Sequence, residues 1–175
     1  MNTETLDPGV SFTETGTLPC EDFVTPAFVR LKNILVPLDF SDTSLKALRY
    51  AVFLANQFGA KITLLHCLRP ALVFSDYPYP GPMGQDVFEA VENQLRDIRF
   101  RDIPPGVPVD IVVRQCFVFD GIPEVARETH ADLVITTPGD RAGLKRLFRR
   151  STAKTITRRA PCPVLVVHDL GYAFV

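Results

Sequence analysis

The sequence predicts an α/β domain: a five-stranded parallel sheet in the order 3-2-1-4-5, with helices on both faces. Three observations carry this reading. Short apolar runs recur along the chain, among them Ile34-Leu35-Val36, Ile62 to Leu68, Leu133-Val134-Ile135 and Val164 to Val167. Continuous apolar runs are the pattern of strands covered on both faces. Between them lie stretches whose apolar residues return every three or four positions, and strict strand–helix alternation argues a parallel sheet. The chain of 175 residues is the size of one domain, and 46% hydrophobic residues against 22% charged allow a core without metals or disulfides.

Residues 1–27 read as an acidic, flexible tail without Lys or Arg, although Val10, Phe12, Leu18 and Phe23 are more apolar than a solvated tail needs. A single domain is expected over 28–170, with a short tail over 171–175. The first strand, 34–39, holds Pro37 near its end, where a missing donor matters least. Ser41 or Asp42 suits the N-cap of a helix carrying Leu45, Leu48, Val52 and Ala55 on one face, with Gly59 as its C′ residue. Ile62 to Leu68 is the second strand, completing a right-handed crossover unit. Residues 69–84, rich in Pro and Gly and holding Tyr77 and Tyr79, read as a long loop, either a flap over a site or a surface excursion. A helix follows over 85–101, stopped by Pro104-Pro105-Gly106. The third strand is expected over 107–113. A helix is expected to begin at Gly121-Ile122-Pro123, the proline suiting a first turn. The fourth strand is 133–137, the last helix 152–159 with a hydroxyl cap at Ser151-Thr152, and the fifth strand 161–167.

Composition excludes several classes. A net charge of −1 gives no global drive toward nucleic acid or anionic membranes. Cys20, Cys67, Cys116 and Cys162 are scattered, with no CxxC or Cys/His spacing of a zinc site. Cys67 and Cys162 sit in or beside apolar runs and read as small buried hydrophobes. The polar first residues lack the apolar region of a signal peptide, and no window approaches the ~18 residues of a membrane span, so a cytoplasmic location is expected.

In an open α/β sheet, ligands bind beyond the strand C-termini where the winding direction reverses. The expected order places strand 1 beside strand 4, so their following loops, 39–43 and 138–151, should face each other. The second loop runs from Pro138-Gly139 through Arg141, Lys145, Arg146, Arg149 and Arg150 to Ser151. A basic loop leading into a helix N-terminus is a candidate anion site, because side chains and first-turn amides converge; a solvated basic face is the other reading.

The segments KNILVPLDFSDTSLKALRYAVFLANQFGAKITLLH, GIPEVARETHADLVIT and GLKRLFRRSTAKTITRRAPCPVLVV resemble the universal stress protein family over roughly 32–168. V-P-x-D-F-S together with A-P-C-P-V-L-V-V carries the resemblance. It implies the five-stranded sheet, dimerisation through the last strand, a role in stress survival or signalling, and ATP binding in many members. Binding members carry a glycine, two residues, a glycine, nine residues, then glycine followed by Ser or Thr. Aligned on Arg141, Gly143 and Ser151, those glycines fall at Thr137, Asp140 and Arg150, and only the closing hydroxyl, Ser151, is kept. A glycine lets backbone amides approach phosphate without an intervening Cβ. Asp140 would repel a polyphosphate, while Arg149 and Arg150 offer bidentate contacts.

Asp39 matches a nucleotide-contacting Asp of the family; satisfying loop amides and capping the helix is its alternative role. Phe40 and Ser41 accompany it in the loop. Pro37 and Cys67 match residues lining the adenine pocket, with strand-end packing as the alternative. His66, with no Ser or Cys base arrangement beside it, reads as structural. The expectation is a dimeric stress-response module with a degenerate nucleotide loop, no catalytic residues, no cofactor and no metal. The alternative is an ATP- or AMP-binding member using Arg side chains. An enzyme, such as a slow nucleotidase, needs a base and Mg²⁺ ligands, and only Asp39 and Asp140 stand near the phosphate position. The expected partners are a second copy, through 162–168, and a small anion or nucleotide.

Overall fold

In the computed structural model, the structure describes residues 30–70, 84–138 and 149–168, the side chains of 149–153 excepted. Both tails, the 71–83 part of the Pro/Gly loop, and the 139–148 part of the basic loop lie outside the described residues.

The elements alternate as β1 (Asn33–Pro37), α1 (Asp42–Phe58), β2 (Lys61–Leu68), α2 (Gln85–Asp102), β3 (Val109–Gln115), α3 (Val118–Glu128), β4 (Leu133–Thr136), α4 (Arg149–Arg159) and β5 (Val164–Val166). They form one sheet in the order β3-β2-β1-β4-β5, every pair parallel. Alternation along each strand sends side chains to opposite faces, and two clusters result. Ile34, Val36, Ile62, Leu64 and Ile135 pack beneath α1 and α2 with Leu48, Ala51, Leu95 and Ile98. Leu35, Leu65 and Val134 pack on the other face with Ile122, Val125 and Ala126 of α3 and Ile156 of α4.

α1 starts and stops as its sequence dictates. Ser41 is the N-cap, its Oγ accepting from the Ser44 N–H, and Gly59 closes the helix at φ 64°, a conformation a Cβ would oppose. At the strand N-termini a buried polar knot joins distant segments. Asn33 Nδ2 donates to the Thr129 carbonyl (2.8 Å) and its Oδ1 accepts from Thr63 Oγ1 (2.9 Å). Asp132 Oδ2 accepts from the Lys32 and Asn33 amides at 2.8 and 2.9 Å.

Three expected boundaries are corrected. α3 begins at Val118, not at Gly121, because the Asp120 and Gly121 amides already close turns onto the Phe117 carbonyl. Pro123 therefore lies inside the helix rather than in its first turn. α4 begins at Arg149, so Ser151 is its third residue and not its cap. β5 is only three residues long, since Pro161 and Pro163 cannot donate to a ladder.

Candidate functional site

β1 and β4 run side by side and parallel, with Ile34 opposite Leu133 and Leu35 opposite Val134, so their C-terminal ends point the same way. The winding reverses between β1 and β4, which is where ligands bind in open α/β sheets; of the loop after β4 only Thr137 and Pro138 are described. Of the residues expected at this site, Pro37, Asp39, Phe40, Ser41, Cys67 and Thr137 are half-buried at the strand ends. Arg149, Arg150 and Ser151 supply the first backbone N–H groups of α4, which have no partner within the helix. Asp140 and Arg141 lie outside the described residues.

The loop after β1 is held by its own side chains. Asp39 Oδ1 accepts from the Ser41 amide (3.1 Å) and from Ser41 Oγ (2.5 Å). With its proton directed at Asp39, Ser41 Oγ accepts from Thr43 Oγ1 (2.9 Å) and from the Ser44 amide (3.2 Å). One carboxylate thus orders the turn and the cap of α1. Between them Phe40 takes φ 64°, a left-handed conformation costing a residue with a Cβ about 1–2 kcal/mol. Its ring stacks on His66 at the end of β2, centroids 4.6 Å apart and planes 27° apart. His66 Nδ1 lies 2.8 Å from the Leu38 carbonyl. A carbonyl only accepts, so Nδ1 carries the proton. The imidazole therefore buttresses the loop from beneath.

Beside this loop, at the ends of β2 and β3, stands a group that sequence reasoning missed. Cys67 and Cys116 are both half-buried, and their sulfurs face the same space beneath Gly121. Cys116 Sγ reaches the Arg114 carbonyl at 3.7 Å. Burial pushes the Cys67 thiol far up, and the neighbouring Cys116 pushes it further. Burial also raises Cys116, opposed by the neighbouring Cys67 and by the Arg114 guanidinium. That guanidinium is itself fixed by a two-armed contact to Glu128, at 2.7 and 2.6 Å. Among the described residues, no group of three or more His, Cys, Asp or Glu could hold a metal ion, and no helix is long and apolar enough to cross a membrane.

A parallel doubly wound sheet whose winding reverses between β1 and β4 defines a class of α/β folds in which ligands, where bound, sit at the strand ends. A model of the universal stress protein family matches residues 30–168, and the chain belongs to that family. It is 26% identical over 144 residues to universal stress protein MJ0531 of Methanocaldococcus jannaschii, covering 78% of this chain and 81% of that one. Universal stress protein UspA from Lactobacillus plantarum shares the fold with a TM-score of 0.64 at 23% identity, over 79% of this chain and 98% of that one. The universal stress protein from Archaeoglobus fulgidus, solved in complex with dAMP, superposes with a TM-score of 0.53 at 22% identity, over 78% and 98% of the two chains.

Proposed function

We propose that this family member is a dimeric stress-response or signalling module that acts without turnover and does not hold ATP in the manner of glycine-loop members. The observation that carries the reading is the pattern at the switch point. The positions of the three phosphate-loop glycines are Thr137, Asp140 and Arg150, while the flanking fold is kept. Each replacement adds a Cβ where amides must close on phosphate oxygens, and Asp140 adds a like charge. Asp39 is already engaged with Ser41, which supports its role in ordering the loop. Dimerisation is supported by β5, which pairs with β4 alone among the described residues and leaves Leu165 39% exposed on an edge. Purified protein, denatured and assayed for released adenine, should yield no stoichiometric ATP. Calorimetry with ATP and Mg²⁺ should give affinity weaker than micromolar. Copurifying ATP or micromolar binding would overturn the reading.

A second reading has one specific observation behind it: the Archaeoglobus fulgidus protein of this fold was solved with dAMP. A monophosphate asks for fewer amide contacts than a triphosphate, and Arg149 and Arg150 at the start of α4 offer charge for it. On this reading AMP or dAMP binds more tightly than ATP, and Arg149→Glu with Arg150→Glu abolishes the binding.

A further inference from the structure

We propose that Cys67 and Cys116 are a paired-thiol modification site that reacts with small-molecule disulfides and closes to an intramolecular Cys67–Cys116 disulfide. The fold builds the pair deliberately close. In the parallel register Cys67 stands opposite Arg114, and residues two apart share a face, so Cys116 arrives on the side of Cys67. The chain bends after Gln115, and the Cys116 amide donates to the Leu68 carbonyl at 2.9 Å, fixing Cys116 against the end of β2. α3 then crosses directly over both sulfurs with Gly121. A Cβ at that glycine would stand 2.1 Å from Cys116 Sγ and 3.2 Å from Cys67 Sγ, so the space the two sulfurs share exists only because position 121 has no side chain.

Access and nearby charge assign the roles. Cys116 is the less enclosed of the two sulfurs, its S–H points at the Arg114 carbonyl, and the Arg114 guanidinium nearby favours its thiolate. Cys116 is the attacking sulfur. Its thiolate, having released a proton to water, attacks one sulfur of a disulfide RSSR, forming a mixed disulfide and expelling RS⁻, which takes up a proton. Cys67 then loses its proton and attacks Cys116 Sγ, expelling the second RS⁻. Two protein thiols are oxidised and one RSSR is reduced to two RSH. The product is neutral, which suits a half-buried position that disfavours either thiolate. Cys67 also matches a residue lining the family's adenine pocket, but the test reads a covalent bond and does not depend on nucleotide binding.

The test uses the full chain with Cys20→Ser and Cys162→Ser, so that only the pair remains. After incubation with oxidised glutathione, unfolding and alkylation, mass spectrometry should find a chain lighter by two hydrogens with no alkylated thiol. Peptide mapping should join the Cys67 and Cys116 fragments. Adding Cys67→Ser should leave glutathione trapped on Cys116, and adding Cys116→Ser should leave Cys67 alkylatable. The same mapping on the unsubstituted chain answers the question should the serine background fold poorly. Two alkylatable thiols after full exposure, a lasting mixed disulfide with Cys67 still free, or glutathione trapped first on Cys67 would overturn the proposal.

Discussion

Replacing Gly121 with alanine sets two effects of similar size against each other. Gly121 is buried within α3 and has an ordinary helical backbone, so alanine should gain about 1 kcal/mol of helix propensity. The new Cβ, however, falls 2.1 Å from Cys116 Sγ and 3.2 Å from both Cys116 Cβ and Cys67 Sγ. Cys116 has one rotatable bond with which to escape, and using it gives up the contacts to Cys67 and the Arg114 carbonyl. Overpacking of this kind costs about 1–3 kcal/mol. The net expectation is a loss of about 0–2 kcal/mol, or a melting temperature lower by roughly 0–8 °C for a chain of this size. In a Cys116→Ala background the 2.1 Å contact is gone, and the same change should stabilise by up to about 1 kcal/mol. Urea unfolding of the four proteins under reducing conditions measures the coupling directly, and about 1–3 kcal/mol is expected. A coupling below about 0.5 kcal/mol would refute the packing argument.

Asn33→Ala should cost about 2–3 kcal/mol in urea unfolding, because it strands the Thr63 hydroxyl and the Thr129 carbonyl at once. Ser41→Ala removes the cap of α1 and the donor to Asp39, and chemical denaturation should register a loss of about 1 kcal/mol. Leu165→Lys puts a charge on the exposed residue of β5 without entering the core; light scattering should show a dimer in the parent chain and a monomer in the variant. A parent chain that is monomeric at micromolar concentration would end that reading.

The sheet order was legible because it rests on robust signals: five apolar runs separated by amphipathic stretches, and a connection rule that leaves few windings. The ends of α1 were legible because Ser41 and Gly59 act through their nearest neighbours. Features that depend on meeting a distant residue were hidden. Cys116 follows an irregular strand end and lies far along the chain from Cys67; only the β2–β3 register brings them together. Phe40 has no intrinsic liking for positive φ, so its conformation had to come from Asp39, Ser41 and the ring of His66. The start of α3 was misplaced because Gly121 and Pro123 imitate a helix beginning, whereas Gly121 is there to clear two sulfurs. At the switch point the expected strand order is present, and the proposed function rests on that order together with the replaced glycines.

The knot at Asn33 and Asp132 has a consequence for how the chain is made. Asp132 grips amides 100 and 99 positions upstream, and β1 gains its second neighbour only when β4 arrives. On a ribosome adding about 5–20 residues per second, that leaves β1 with one bare edge for about 5–20 s after it emerges. During that interval Ile34, Leu35 and Val36, which end with no exposure at all, are shielded on one side by β2 and open on the other. The finished domain conceals this buried strand at the centre of the sheet. The nascent one carries it as an outer edge, so the hazard of mispairing falls during synthesis, where a holdase or a pause before residue 133 would act on it.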